Sequence, residues 1–329
     1  MSAERPDRNL AIEIVRTTEA AALAAARWQG RGDKEAGDAA AVDAMRQVLD
    51  TVTMQGTVVI GEGEKDEAPM LYNGERVGNG QPPQVDIAVD PIDGTRLLAE
   101  GRPGSLAVMA AAPAQTMFDP GPCVYMEKLV VGPEAADAID LDRPLTTNLE
   151  AIAAAMGRPL ADLTVVMLDR DRHEHAKQQV RDSGARLQLI TDGDVAGSIV
   201  AAWPQRPQID VLYGIGGTPE GVITACAVKA LGGAMLGRLW PRNDAERQAA
   251  IEAGYDLDAV LSADDLVSAD DCFIACTGIT PGQLLDGVSF DRHGATTESL
   301  VMRSKSGTVR TIHAHHRLPK LRQYASVTY

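Results

Sequence analysis

Aromatic side chains are scarce in this chain. Phe, Trp and Tyr make up 4% of its 329 residues, although 45% of the residues are hydrophobic. The apolar volume therefore comes mainly from Ala, Val and other aliphatic residues, which suits close helix–sheet packing better than an aromatic-rich sandwich. Positive charge is also in deficit: 31 Lys and Arg face 46 Asp and Glu, for a formal net charge of −15. Such a surface repels nucleic acid and anionic membranes, so neither is an expected partner. An anionic substrate would need positive charge concentrated locally, in metal ions or in a few Lys and Arg. Cysteine occurs four times, as Cys123, Cys226, Cys272 and Cys276. Only the last two are close, and four residues along a strand separates them too far for a bridge. Free buried thiols in a reducing cytosol are expected. No 18-residue apolar run predicts a transmembrane helix, and the charged start Met1–Asp7 lacks a signal-peptide core. A cytoplasmic protein is the expectation. A Gly-x-Ser-x-Gly elbow is missing, which leaves a serine hydrolase without support. The dinucleotide fingerprint is missing too, which disfavours a dehydrogenase. There is no internal repeat or low-complexity tract.

What is present alternates. Apolar residues at helical spacing predict helices over 10–29 and 36–53, followed by a short buried strand over 56–62. Further strands are expected up to Asp90, near 106–112 and near 124–131. The segment Asp140–Asn148, with Pro144, is a plausible connection between an N-terminal half, 1–160, and a C-terminal half, 161–329. In the second half, strands over 163–169, 186–191, 209–213 and 233–239 alternate with helices over 172–183, 194–202, 217–231 and 243–253. This alternation predicts an α/β layered fold. The end reads instead as consecutive strands over 271–277, 287–290, 296–304 and 307–315.

Chemistry concentrates where these elements end. Asp90-Pro91-Ile92-Asp93-Gly94-Thr95 places two carboxylates and a hydroxyl after an apolar strand. Pro91 stiffens the backbone and Gly94 permits a sharp turn. Hard divalent cations favour such oxygen ligands; an Asp-Pro turn with a Thr cap would read the same way. Acidic residues also cluster at Asp33, Glu35 and Asp38, where helix capping competes with ligation, and in Glu62-Gly63-Glu64-Lys65-Asp66-Glu67. The run Tyr213–Gly221, containing Gly214, Gly216, Gly217 and Glu220, reads as a glycine-rich turn between a strand and a helix that could present N–H groups to an oxyanion. Arg170-Asp171-Arg172-His173 and the pair Tyr125 and Lys128 are candidates for holding a phosphate, or else an ordinary solvated turn and strand. Asp192-Gly193-Asp194 could bind sugar hydroxyls or cap the next helix. His313, His315 and His316 read as an exposed or satisfied strand face rather than a zinc site.

Glu62 after a strand, followed by Asp90–Thr95, resembles the Mg²⁺-dependent, lithium-sensitive sugar and inositol phosphatases. Gly30-Arg31-Gly32-Asp33-Lys34, Ile60–Tyr72, Met126-Glu127-Lys128-Leu129, Thr191–Ala196 and Tyr213–Gly217 narrow the resemblance to class II fructose-1,6-bisphosphatase, from about residue 8 to the C-terminus. The resemblance implies a layered αβαβα sandwich of the inositol monophosphatase type. It implies metal ligands at Asp38, Glu62, Asp90, Asp93 and Glu220 for Mg²⁺ or Mn²⁺, and Thr95 as the residue that positions the attacking water. Asp93, Gly94, Thr95, Tyr125, Arg170, Asp171, Arg172, Asp192, Gly193, Asp194 and Gly217 match substrate positions, and Lys34 and Asp66 match further active-site positions. Lys128 joins the residues expected to hold the distal phosphate. Some members carry Glu in place of Asp93. The implied reaction is hydrolysis of the C1 phosphate of fructose 1,6-bisphosphate in gluconeogenesis, by a homo-oligomer, dimer or tetramer. Sedoheptulose 1,7-bisphosphate or inositol monophosphate are alternative substrates, and a catalytically silent sugar-phosphate regulator is the non-enzyme alternative.

Overall fold

The apolar stripes near the N-terminus fold as helices α1 (Ala11–Ala25) and α2 (Lys34–Leu49). Asp33 caps α2, accepting the Ala36 N–H at 3.0 Å, which satisfies one of the orphan donors of its first turn. The computed structural model describes residues 9–62, 70–206 and 208–324. After α2 the chain lays down β1 (Gln55–Ile60), β2 (Arg76–Val77), β3 (Gln84–Asp93), helix α3 (Thr95–Glu100), β4 (Leu106–Pro113) and β5 (Tyr125–Val131). Then follow α4 (Leu145–Ala155), β6 (Thr164–Leu168), α5 (Glu174–Ser183), β7 (Arg186–Ile190), α6 (Val195–Ala202), β8 (Val211–Gly217), α7 (Thr218–Leu231) and β9 (Ala234–Leu239). The end consists of α8 (Asp244–Glu252), β10 (Leu261–Ser262), α9 (Ala263–Leu266), β11 (Phe273–Gly278), β12 (Ser289–Phe290), β13 (Ala295–Arg303), β14 (Thr308–His316) and α10 (Leu318–Tyr324).

These strands form two sheets. The first has the order β12-β13-β11-β4-β3-β1-β2, with β14 also paired to β13; the second has the order β10-β9-β5-β8-β6-β7. Both are mixed: β1 pairs parallel with β3, and β6 parallel with β7 and β8, while the remaining pairs are antiparallel. Burial assigns the layers. Ile14, Met45 and Leu49 from α1 and α2 pack with Val85, Ile87, Met109 and Ala275 on one face of the first sheet. The opposite face, through Ala88, Val108 and Ile274, meets Ile199 of α6 and Val222 and Ile223 of α7, which also contact Met126, Val166 and Leu212 of the second sheet. The outer face of that sheet, through Leu129, Val165 and Met167, is covered by Leu149 and Ile152 of α4 and Val180 of α5. The result is the layered αβαβα sandwich. β4 is buried from Leu106 to Ala112, as a strand between two helical layers has to be, and its small side chains let those layers approach.

Two elements differ from their sequence reading. The expected turn at Tyr213–Gly217 is instead the end of β8, held in register by β5, with Glu127 opposite Ile215 and Tyr125 opposite Gly217. β3 runs through the two aspartates to Asp93 rather than stopping at Asp90. Sheet membership also crosses the midpoint of the chain: β5 lies in the second sheet, and β11 to β14 return to the first. All four cysteines are buried and unbridged, and His313 and His315 are exposed on β14. Among the described residues, no helix is long and apolar enough to cross a membrane.

Candidate active site

In an unbroken strand, residues three apart point to opposite faces. Asp90 and Asp93 nevertheless line the same cavity. The β3–β4 register explains this: Asp90 lies opposite Val108 and Asp93 opposite Leu106, so three steps on β3 match two on β4. This bulge, at a proline that cannot donate to the ladder, turns both carboxylates to one side. Gly94 follows in the left-handed conformation (φ +86°) and starts α3. The Asp93 carboxylate also accepts the Val195 N–H at 3.3 Å, tying the first sheet to the start of α6.

Glu62 and Glu220 reach this cavity from elsewhere in the chain. Glu62 follows β1, where Gly61 lets the backbone pass Leu71; a Cβ there would meet the Leu71 carbonyl oxygen at 1.8 Å. Glu220 is in the first turn of α7, and its carboxylate folds back over Gly217, where a Cβ would lie 1.7 Å from Oε2. At Gly216 a Cβ would lie 2.0 Å from Asp194 Oδ2 and 2.9 Å from Lys128 Nζ. The glycines at the end of β8 therefore make room for carboxylates and an ammonium of the protein itself.

The cavity has a volume of about 450 Å³, within the range of small-molecule sites, and its walls include Glu62, Asp90, Asp93, Gly94, Thr95, Tyr125, Arg170, Arg172, Asp192, Gly193, Asp194, Gly217 and Glu220. Four expected site residues lie off these walls. Lys128 is fully buried, with its ammonium 2.5 Å from Asp194 Oδ2 and donating to the Gly217 carbonyl at 3.1 Å. This placement corrects the expectation of a direct phosphate contact, because the charge is already engaged beneath the glycine floor. Asp171 and Lys34 are exposed. Asp38, one turn after Lys34, is half-buried near Thr95. The Thr95 hydroxyl donates to the Ile92 carbonyl at 3.2 Å. Asp66 lies outside the described residues.

The acids are held in an unfavourable field. Burial pushes Asp38 up to about 6. The surrounding protein, and then the charges of Asp38 and Glu220, push Glu62 up to about 7, although its side chain is still open to water at the rim. Asp90 and Asp93 are raised well above the usual carboxylate range, by burial first and by neighbouring acids second. Burial also raises Glu220, with Lys128 opposing it, and its Oε2 is buried without a hydrogen-bond partner among the described residues. Divalent cations would relieve all of these strains at once, so the donor set fits hard metal ions. Glu62, Asp90, Asp93 and Glu220 line the cavity without forming a closed cage: among the described residues, no three candidate donors are already gathered to hold an ion.

The same cavity carries two fixed guanidinium groups. Arg170 donates to the Thr191 carbonyl at 2.5 Å and to Asp192 at 3.0 Å. Arg172 donates to the Ile215 carbonyl at 2.7 Å and stacks over the Tyr125 ring at 4.8 Å. Arg242 approaches that ring at 5.8 Å, a cation that the sequence reading missed because it lies in a loop beyond any motif. Val124, Leu168, Gly216 and Pro219 also line the cavity. Gly216 belongs to the glycine-rich run; the other three carry no chemical signal of their own, and only their positions beside strand ends and at the helix start mark them.

The family model described as "Bacterial fructose-1,6-bisphosphatase, glpX-encoded" matches residues 8–316. The chain is 48% identical over 330 aligned residues to fructose-1,6-bisphosphatase 1 class 2 of Escherichia coli strain K12, covering 95% of this chain and 96% of that protein. Class 2 fructose-1,6-bisphosphatases of Escherichia coli O6:H1 and Shigella flexneri match with the same identity and coverage. By sequence along nearly its whole length, this chain belongs to the class II, glpX-encoded family of bacterial fructose-1,6-bisphosphatases.

Proposed function

We propose that this enzyme hydrolyses the C1 phosphate of fructose 1,6-bisphosphate to fructose 6-phosphate and inorganic phosphate, in gluconeogenesis. The observation that carries this reading is the convergence of Glu62, Asp90, Asp93 and Glu220 on one cavity that also holds Thr95, Arg170 and Arg172. Family membership supports it.

The proposed metal ligands are Asp38, Glu62, Asp90, Asp93 and Glu220. When bound there, Mg²⁺ or Mn²⁺ would neutralise phosphoryl oxygens, stabilise the leaving alkoxide and lower the pKa of a bound water. The chain's own groups do the rest. Thr95 donates its hydroxyl proton to the Ile92 carbonyl, which leaves an oxygen lone pair on Thr95 to accept a hydrogen bond from the attacking water and hold it in line. Arg170, Arg172 and Tyr125 hold the distal phosphate, and binding energy from that remote group fixes the reacting one. Asp192, Gly193 and Asp194 face the sugar hydroxyls, while Gly94 and Gly217 keep the backbone close to the substrate. Asp171 belongs to the turn that presents the arginines. Lys34 acts through its charge on Asp38, and Asp66 completes the set. On this reading residues 1–160 supply most metal ligands, and residues 161–329 supply Glu220 and the sugar-phosphate contacts. A homo-oligomer in the reducing cytoplasm is the proposed setting, consistent with four unbridged thiols.

The test is phosphate release from fructose 1,6-bisphosphate, sedoheptulose 1,7-bisphosphate and inositol monophosphate, each with Mg²⁺, Mn²⁺ or EDTA. Metal-dependent turnover that is fastest with the fructose ester is expected. Turnover unaffected by EDTA would overturn the metal assignment, and a preference for another ester would overturn the substrate.

A further inference from the structure

β8 pairs with β5 along its whole length, but with β6 only through Val211 and Leu212. Beyond Leu212 the edge of β8 that faces β6 has no strand partner. The chain leaving β6 instead turns through Arg170–His173, and two side chains of that turn take the place of the missing strand. His173 Nε2 accepts the Ile215 N–H at 2.8 Å. Arg172 donates to the carbonyl of the same residue through Nη2 at 2.7 Å and Nε at 3.2 Å. The other ring nitrogen, Nδ1, lies 2.7 Å from the Leu168 carbonyl at the end of β6. Because Nε2 accepts, the ring is neutral and carries its proton on Nδ1, the only tautomer that serves both partners. The imidazole is 2% exposed. Gly214 leaves it room, since a Cβ there would meet Cε1 and Nε2 at 3.2 Å each.

We propose that His173 is a positioning residue for substrate binding: by bridging Leu168 of β6 to Ile215 of β8, it locks the Arg170–His173 turn so that Arg172 is already aimed at the distal phosphate. The proposal rests on the assignment of Arg172 to that phosphate. His173 itself touches no substrate. Its contribution is to remove the freedom that the turn would otherwise lose on binding.

The experiment measures kcat and KM for fructose 1,6-bisphosphate, and the inhibition constant of fructose 6-phosphate, in the metal-loaded enzyme and four variants. His173→Phe keeps the ring volume and removes both hydrogen bonds. His173→Asn is too short to span both carbonyl and amide, and it replaces the Phe variant if that one fails to fold. His173→Gln offers an amide oxygen to the Ile215 N–H. Arg172→Ala tests the underlying assignment. His173→Phe or His173→Asn is expected to raise KM and the inhibition constant together by about tenfold or more, with kcat within about twofold, and His173→Gln to recover most of the loss. An unchanged KM in the His173 variants, alongside a raised KM in Arg172→Ala, would overturn the positioning role and leave the assignment of Arg172 standing. An unchanged KM in Arg172→Ala would overturn that assignment. A fall in kcat alone, or no difference between His173→Gln and His173→Phe, would reduce His173 to a purely structural residue.

Discussion

At the residue scale, Thr95 and Glu220 make the sharpest claims. The Thr95 hydroxyl donates to the Ile92 carbonyl at 3.2 Å, so on the proposed mechanism Thr95→Ala removes the group that aligns water and leaves the proposed metal ligands in place. Thr95→Ala is expected to lower kcat by about a hundredfold or more with little change in KM, as read by steady-state phosphate release. Near-normal kcat would remove Thr95 from the mechanism. Glu220 is a half-buried acid near Asp194 and Asp192, and one of its oxygens has no partner among the described residues. Glu220→Gln keeps its shape and deletes a charge that the metal-free protein accommodates poorly. The melting temperature in EDTA at pH 8 is expected to rise, while activation by Mg²⁺ weakens; a metal-free protein that melts lower would contradict the unfavourable field. Both residues were legible from their motifs. Lys128 was legible only as a cation on a strand. That its ammonium lies buried against Asp194 depends on β5 and the start of α6 being brought together from opposite sides of residue 160.

At the element scale, function depends on irregularities in otherwise regular pieces. The bulge that turns Asp90 and Asp93 to one side is set by pairing with β4, and spacing within Asp90–Thr95 does not encode it. The Gly193 turn before α6 is similar, with φ +66° and the site of a Cβ 3.0 Å from both Asp93 carboxylate oxygens. Gly193→Ala is expected to cost about 1–2 kcal/mol of stability through left-handed strain, and in addition to lower kcat by pressing on Asp93. Gly184→Ala is the control. It has the same left-handed backbone, φ +86°, with open space around the added methyl; its stability falls and its kcat stays. Equal kcat in the two variants, measured on protein shown to be folded, would mean that Asp93 tolerates displacement. The extension of β8 through Gly217 was likewise illegible. Glycines read as a turn until a partner strand is known, and here β5 keeps the backbone extended while carboxylates occupy the vacated side-chain space.

At the scale of the whole molecule, the crowded acids predict an unusual pH response. Glu62 titrates near 7 rather than 4.5, and Asp38 near 6 rather than 3.8; Asp90, Asp93 and Glu220 are raised as well. Between the unfolded and folded values the native metal-free protein binds more protons than the unfolded chain, so its stability falls as pH rises from about 4 to about 7. Buried His173 and half-buried His316, with lowered values, push the other way, but they contribute equally with and without metal. The difference in melting temperature between Mg²⁺ and EDTA therefore isolates the site, and it is expected to widen as pH rises through 6 and 7 because ligation requires the ionised carboxylates. A difference independent of pH would place the metal away from these acids.

The sequence by itself determined the order of helices and strands, the α/β class, and the identity of the acids and arginines. Each of these is written in residues close together, where the periods of helix and strand and the chemistry of turns act locally. Only the tertiary structure decided that Glu62, Asp90, Asp93 and Glu220 share a cavity, that Lys128 lies beneath it, and that His173 stands in for a strand. Those outcomes depend on which strands pair and in what register. That choice is made by the joint burial of segments far apart in the chain, and no single stretch of sequence contains it.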